Sequence, residues 1–131
     1  MKTYYFPVST FKRTNLIDIT NKVKDTVNGA GVYDGICLVY SPHTTAAVII
    51  NEAADPNVAS DIESFLNELV PLNRGFKHLE GNSDSHIKSA LIGNSRIIPI
   101  IDGRLSLGTW EGIFLCEFDG PRERRVIVKI I

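Results

Sequence analysis

The sequence from Ser41 to Asp61 reads SPHTTAAVIINEAADPNVASD. Its run from Thr45 to Ile50 is rich in β-branched residues, which predicts a strand. Asp55 followed by Pro56 predicts the start of a helix, because an aspartate side chain can cap free N–H groups and proline fits the first helical position. The strand has His43 and hydroxyl residues before it and an amide and carboxylates after it. A plain core strand has no use for this much polar chemistry, so the stretch is predicted to form part of a functional site.

The rest of the chain alternates between short strand patterns and helical patterns. Thr20 is predicted to cap the first helix and Ser83 or Asp84 the third, whereas the second is predicted to begin at Pro56. Each helix ends at a glycine or proline signal. Further strands are predicted over residues 2–8, 16–19, 35–40, 96–101, 104–107, 112–118 and 125–131. Because strands outnumber helices and mostly connect by short turns, the predicted fold is α+β. It is a single compact domain, residues 1–131, of antiparallel sheet with about three helices packed to one side.

Composition argues against several classes of function. The 131 residues carry a net charge of −1, which gives no reason to expect nucleic acid or an anionic membrane as a partner. No stretch approaches the roughly 20 apolar residues of a membrane span, and the N-terminal residues lack the apolar core of a signal peptide. Cys37 and Cys116 lie in apolar runs and are expected to be buried thiols. A reduced, cytoplasmic protein is therefore expected.

The three histidines stand in two polar stretches. His43 precedes the predicted strand, whereas His78 and His86 bound the sequence HLEGNSDSH. We expect the two stretches to meet and form one site. Two chemistries stay open: the imidazoles could bind a divalent metal ion, zinc or magnesium, or they could neutralise a phosphate and act as acid or base near pH 7. Their spacing matches no compact metal motif.

Other polar residues are candidates for the same site. Glu52 has no evident structural role and is predicted to orient a histidine or to hold a metal ion. His86 falls in the first turn of the predicted third helix, where free N–H groups favour an anion. The run from Gly103 to Gly112 is either a bulged hairpin corner or a loop whose N–H groups approach a ligand. Arginines 122, 124 and 125 form a basic cluster that is either solvated or able to clamp a phosphate.

Three ordered motifs resemble a known family. They are SPHTTA with the following Asn51-Glu52, Asp55-Pro56 and Asp61; His78, Glu80-Gly81 and SHIKS at residues 85–89; and Ser95-x-x-Ile98-x-Ile100 with Gly103 and Gly108-Thr109-Trp110. The family is that of small YjbQ-like proteins described as secondary thiamine-phosphate synthases. The resemblance implies a homotrimer with sites near subunit contacts. It also implies an activity that joins hydroxymethylpyrimidine diphosphate to thiazole phosphate and releases diphosphate.

On this resemblance we expect a transferase acting on a small phosphorylated substrate. The predicted catalytic residues are His43, Glu52, His78 and His86, and the three histidines are also the predicted metal ligands. The predicted substrate contacts are Thr44, Thr45, Asn51, Ser85, Gly108, Thr109 and Arg124. Glu111 stands where the family usually has glutamine, which is expected to weaken anion binding if the side chain touches a phosphate.

Two other functions stay open from the residues. One is a non-catalytic trimeric module that binds a metal ion or a phosphorylated metabolite. The other is a metal-dependent hydrolase of a phosphate compound. The motifs fit the binding module almost as well as they fit an enzyme, because no residue is an evident nucleophile with an adjacent base.

Overall fold

Eight strands and three helices make up the computed structural model, which describes all 131 residues. The helices are α1 (Thr20–Ala30), α2 (Pro56–Leu69) and α3 (Ser83–Ile92). The strands are β1 (Lys2–Ser9), β2 (Asn15–Asp18), β3 (Gly35–Tyr40), β4 (Ala46–Glu52), β5 (Ser95–Ile101), β6 (Arg104–Leu105), β7 (Glu111–Glu117) and β8 (Glu123–Ile130).

The strands form two sheets in which every neighbouring pair is antiparallel. The larger sheet has the order β1-β8-β3-β5-β6 and the smaller has the order β2-β7-β4. Both sheets and α1 contribute to one buried cluster, which includes Val39, Val128, Val48, Leu115 and Val23. Each fully buried aliphatic side chain stabilises the fold by roughly 1.5–3 kcal/mol, so this shared core holds the two sheets together.

Helices α2 and α3 pack against the smaller sheet, away from this core. A second cluster joins the sheet to them, with the members Ala47, Leu66, Cys116 and Phe118 and with Ile62 and Ile92 packed against it. Strand β7 is therefore covered on both faces, which explains its nearly continuous apolar run. None of the three helices has the length and apolar character that crossing a membrane requires.

The α+β fold expected from the sequence is confirmed. Helix α2 begins as predicted, since Asp55 Oδ1 accepts a hydrogen bond from the N–H of Asn57 at 2.9 Å. Two helix starts were predicted wrongly. Thr20 is the first helical residue rather than a cap, because Asp18 Oδ1 accepts from its N–H at 2.9 Å. Helix α3 has Asn82 as its N-cap rather than Ser83 or Asp84.

Candidate functional site

A polar pocket lies where the two histidine stretches meet. Its volume is about 450 Å³, and apart from a proline every lining side chain is polar or charged. The lining residues are Pro42, His43, Thr44, Thr45, His78, Glu80, Asn82, His86, Arg122 and Arg124. The structure therefore brings together the three histidines, Thr44, Thr45 and Arg124 of the predicted site. We call this space the histidine pocket.

His43 reaches the pocket on the connection between β3 and β4, where it is held by the main chain of Arg125. The N–H of Arg125 lies 3.0 Å from His43 Nε2, and the carbonyl oxygen of Arg125 lies 3.2 Å from the same atom. Strand β8 loses its partner on this side because the pairing with β3 ends at Tyr40 and Ile127. The imidazole therefore takes the place of a neighbouring strand.

The tautomer of His43 follows from this contact. A main-chain N–H can only donate, so the shorter contact needs an unprotonated Nε2, which places the proton of the neutral ring on Nδ1. Burial lowers the pKa of His43 below its ordinary value, and the nearby Arg124 guanidinium acts in the same direction. At neutral pH the ring is therefore a neutral donor through Nδ1–H rather than a cation.

His78 and His86 form an edge-to-face pair. Their ring centroids lie 5.4 Å apart, with the ring planes at 88°. His86 is half-buried in the first turn of α3, whereas His78 is exposed on the loop before it, with Glu80 Oε1 3.9 Å from its Nε2. Neither ring makes a hydrogen bond of normal length within the chain, so both remain available to a ligand.

Arg124 belongs to a buried ion pair at the pocket wall. Its Nε donates to both carboxylate oxygens of Glu117, at 2.9 and 3.1 Å, and its Nη2 donates to Glu117 and to Thr45 Oγ1. Thr10 Oγ1 and the N–H of Asp119 also donate to Glu117, at 2.6 and 3.1 Å. Arg124 and Glu117 are 4% and 0% exposed. These bonds hold the guanidinium in one orientation and leave Nη1 free to donate to a ligand.

This ion pair makes the stability of the fold depend on pH. Burial opposes ionisation of Glu117, but hydrogen bonds from Arg124 and Thr10 outweigh it and lower the pKa of the carboxyl. Such a group contributes stability above its unfolded pKa, about 4.3 for glutamate, and loses it as the pH falls through the folded pKa. Urea unfolding should show wild-type protein more stable than Glu117→Gln at neutral pH, with a gap that shrinks below about pH 4. A gap that does not change with pH would contradict this assignment.

Helix α3 brings two residues to the pocket and is itself anchored by buried charges. On its far side Arg13 donates to both carboxylate oxygens of Asp84, at 3.0 and 3.1 Å. Lys88 is 1% exposed and donates to Asn67 Oδ1 of α2 at 2.7 Å. These contacts tie α3 to α2 and to the connection between β1 and β2, and thereby position His86. The N-terminal end of α3, at the pocket, also favours an anion.

Glu52 and Asn51 do not lie in the histidine pocket. Glu52 borders a separate hollow of about 390 Å³ that also contains residues at the start of α2. Asn51 is exposed, and its Oδ1 accepts from the N–H of Glu52 at 2.8 Å. The reason is the length of β4, whose seven residues span about 20 Å and separate Glu52 from His43. Glu52 therefore contacts no histidine of its own chain, and its predicted role in orienting one stays a prediction.

Ser85, Gly108 and Thr109 also lie outside the pocket lining. Ser85 is buried and donates to the carbonyl oxygen of Phe118 at 2.6 Å. Gly108 and Thr109 are exposed in the turn before β7, where the N–H of Gly108 donates to Glu111 Oε1 at 2.8 Å. The Glu111 side chain therefore has a local structural role in this turn and does not line the pocket. The glutamine usual in the family would accept the same bond.

Two residues of the site were missed from the sequence, and both had left a signal. Glu117 is a lone carboxylate inside the apolar run GIFLCEF, and a buried charge needs a partner. Asn82 follows Gly81 immediately before the polar run at the start of α3, which is the pattern of an N-cap. Both signals predict local structure, and neither indicates which pocket the residue borders.

The predicted three-histidine metal site is not formed in this chain. No group of three or more His, Cys, Asp or Glu side chains is arranged to hold a metal ion. His43 gives the physical reason, because its Nε2 lone pair accepts from the N–H of Arg125 and a neutral imidazole has only one such lone pair. The expectation of a metal-binding protein that rested on this set has no support.

Comparison with known proteins identifies the family. Residues 4–131 match the model of the family described as UPF0047 protein YjbQ-like. The chain is 53% identical to the UPF0047 protein MJ1081 of Methanocaldococcus jannaschii, over 98% of this chain and 93% of that one. It is 43% identical to the UPF0047 protein YugU of Bacillus subtilis, over 95% of each chain. A crystal structure of an uncharacterised YjbQ/UPF0047 family protein from Clostridium acetobutylicum has a TM-score of 0.96 and 50% identity, covering 98% and 99% of the two chains.

These matches correct the expectation drawn from the sequence motifs. The YjbQ-like UPF0047 family is a different family from the thiamine-phosphate synthases, and the relatives carry no link to thiamine in their names. The transferase activity with hydroxymethylpyrimidine diphosphate and thiazole phosphate, which was predicted from the resemblance, is therefore wrong. The family match covers nearly all residues, and both relatives exceed 40% identity. The chain belongs to the YjbQ-like UPF0047 family.

Proposed function

We propose that this chain binds a small phosphorylated compound in the histidine pocket. The observation that carries the proposal is the lining itself, in which three imidazoles, two guanidinium groups and two threonine hydroxyls surround about 450 Å³. Such donors form short, charge-assisted hydrogen bonds to phosphate oxygens. The space is large enough for a phosphate group together with a small organic part.

The arginines are arranged for anion binding rather than for solvation. The Glu117 carboxylate orients Arg124 from behind, so little side-chain entropy is lost when Nη1 meets a ligand. Arg122 donates through Nε and Nη2 to the carbonyl oxygen and the carboxylate of Asp119, at 2.7 and 2.8 Å, which leaves its Nη1 free. His43 adds the Nδ1–H donor described above. These groups offer a preorganised set of donors, which is what tight phosphate binding requires.

The proposal is one of binding, not of a defined reaction. None of the three imidazoles is hydrogen-bonded to a serine, threonine or cysteine side chain, so the chain shows no activated nucleophile. A divalent cation would enter with the phosphates of the ligand, as magnesium commonly does, rather than from a cage of protein side chains. Glu80 is the carboxylate in the pocket lining that is placed to meet it.

We also propose that copies of the chain associate through the outer face of the larger sheet, as the expected homotrimer. Side chains at alternate positions of β3 and β5 point away from the core and share this face, since Ile36 pairs with Pro99 and Leu38 with Ile97. Ile97 is 66% exposed and Tyr5 of β1 is 59% exposed. Apolar side chains gathered on one exposed face of a small protein are typical of an interface. A cytoplasmic location fits the two buried free cysteines.

Phosphate binding is tested by calorimetric or NMR titration of the purified protein with inorganic phosphate. We expect His86→Ala and His43→Ala each to weaken binding by about 10-fold or more, because each removes a donor whose bond to a charged group is worth about 1.5–3 kcal/mol. Glu52→Gln is the matched control, since Glu52 borders the other hollow, and it should bind as the wild type does.

Two results would contradict this proposal. The first is wild-type protein that binds no phosphate. The second is binding in buffer without added divalent ions that is lost when a chelator is added, because the only metal ion left to remove would then be one held by the protein. Phosphate binding that survives the chelator and is weakened in both histidine variants supports the proposal.

Self-association is tested by sedimentation velocity. We expect the wild type to sediment as a trimer and Ile97→Lys to sediment as a smaller, folded species, because a lysine ammonium would have to be desolvated at the interface. Leu91→Lys is the control, since Leu91 of α3 is similarly exposed, at 60%, but lies on another surface. A monomeric wild type, or an Ile97→Lys protein that still assembles, would argue against this interface.

A further inference from the structure

Asn82, at the wall of the histidine pocket, carries an acceptor without a partner. The residue is 8% exposed, and its Oδ1 is buried and makes no hydrogen bond within the chain. Its amide orientation is set by the other end, because Nδ2 donates to Asp119 Oδ2 at 2.8 Å. Arg122 Nη2 donates to the same carboxylate at 2.8 Å. Turning the amide over would place two acceptors against each other, so Oδ1 is the unpaired atom.

Asn82 Oδ1 does not accept the helix-capping hydrogen bond that is usual for an asparagine at this position. An asparagine at an N-cap usually accepts from a free N–H of its helix through the side chain, but Asn82 makes no such bond. The N–H of Ser85 donates instead to the main-chain oxygen of Asn82, at 3.0 Å. Leaving a buried acceptor unpaired is costly, and such an atom beside a pocket is explained when a ligand supplies the missing donor.

We propose that the pocket selects a phosphate group that carries its own hydrogen-bond donor, and that the pocket thereby discriminates against sulfate. This inference rests on the proposed function. The donors of His43, His86 and Arg124 would bind the unprotonated oxygens. The P–OH group, or a hydroxyl beside the phosphate, would donate to Asn82 Oδ1. The Asn82 side chain must turn slightly toward the pocket to meet it, and the segment that ends with Asn82, residues 70–82, belongs to no helix or strand. A fully deprotonated sulfate would place an oxygen lone pair against Oδ1.

The probes are inorganic phosphate, sulfate and methyl phosphate, titrated by calorimetry into the full chain. At about pH 8 phosphate and sulfate are dianions of similar shape, but only phosphate retains a proton. We expect phosphate to bind about 10-fold more tightly, since that is the order of effect of one satisfied buried acceptor. Methyl phosphate loses its last proton near pH 6, as phosphate monoesters do. It should match inorganic phosphate at about pH 5 and bind about 10-fold more weakly at about pH 8. Comparing ligands at the same pH cancels the titration of the histidines.

Asn82→Ala should bring the ratio of phosphate to sulfate affinity close to one. Ser89→Ala is the matched control, because Ser89 Oγ is the other buried unpaired polar atom and is not part of the pocket lining; its ratio should remain that of the wild type. The side-chain amide signals of Asn82 in the wild type give a readout that needs no variant to fold. At saturation they should shift further with phosphate than with sulfate.

The outcomes separate the two proposals. If the wild type binds neither anion, the proposed function is overturned. If it binds phosphate and sulfate equally, or if Asn82→Ala keeps the preference, the selectivity inference is overturned while phosphate binding stands. A preference for phosphate that disappears in Asn82→Ala and persists in Ser89→Ala supports the inference.

Discussion

Replacing Arg124 by alanine is expected to lower the free energy of unfolding by about 3–5 kcal/mol. The reason is that Glu117, which is 0% exposed, would be left as a buried carboxylate without its cation. Thr10 and the N–H of Asp119 would still donate to it, but neither supplies a positive charge. Urea unfolding at neutral pH measures the effect, and phosphate titration of the folded fraction should show weakened binding as well.

Two further variants test this explanation. Arg122→Ala removes the other arginine of the pocket, but that side chain is 51% exposed in its pair with Asp119, and such pairs contribute at most about 1 kcal/mol. The double variant Arg124→Met, Glu117→Leu removes both charges and should be more stable than Arg124→Ala, since the unpaired carboxylate is then absent. An Arg124→Ala protein that loses less than about 1 kcal/mol would show that the ion pair is not desolvated as described.

Replacing Gly112 by alanine is expected to destabilise the fold by about 3 kcal/mol, which is at the upper end of the usual cost of overpacking. A Cβ atom at this position in β7 would lie 2.4 Å from Ala53 Cβ and 2.9 Å from Thr20 Oγ1. Thr20 cannot move freely, because its Oγ1 accepts from the N–H of Ile113 at 2.9 Å. Thermal or urea unfolding measures the loss.

The same substitution at Gly29 is expected to have the opposite sign. Gly29 lies within α1, and a Cβ atom there would meet nothing within 4 Å. Alanine loses less conformational entropy on folding than glycine, so Gly29→Ala should stabilise the protein by about 0.5–1 kcal/mol. If both variants changed stability in the same direction, close packing at Gly112 would not be the cause.

The secondary structure was predictable because its signals are local. Asp55-Pro56 marks a helix start through capping chemistry that involves only neighbouring residues, and it was placed correctly. Asp102-Gly103 is likewise a local signal for a hairpin turn, and both residues have the positive φ that such a turn needs, 53° and 79°. Asn82 was not recognised as the cap of α3, because Ser83 and Asp84 beside it carry equally suitable side chains.

The candidate site was only partly predictable. The polar stretches around His43 and His86 stand out in the sequence, because they interrupt apolar patterns. Glu52 stands out for the same reason but lies at the other end of β4. Sequence proximity therefore grouped it with histidines that it does not contact in its own chain. Asn82 and Glu117 belong to the site because of contacts between distant segments. Asn82 donates to Asp119, and Glu117 accepts from Thr10 as well as from Arg124.

The order of residues alone was sufficient for the α+β class, the positions of most strands and helices, and the set of three histidines, because periodicity, capping and turn chemistry act between near neighbours. Which charged groups face one another was decided by packing between segments far apart in the chain. Arg124 donates to Thr45 and Arg13 donates to Asp84 only when the two sheets and three helices are packed together. The tautomer of His43 and the unpaired acceptor of Asn82 depend on those distant contacts, and no local pattern specifies them.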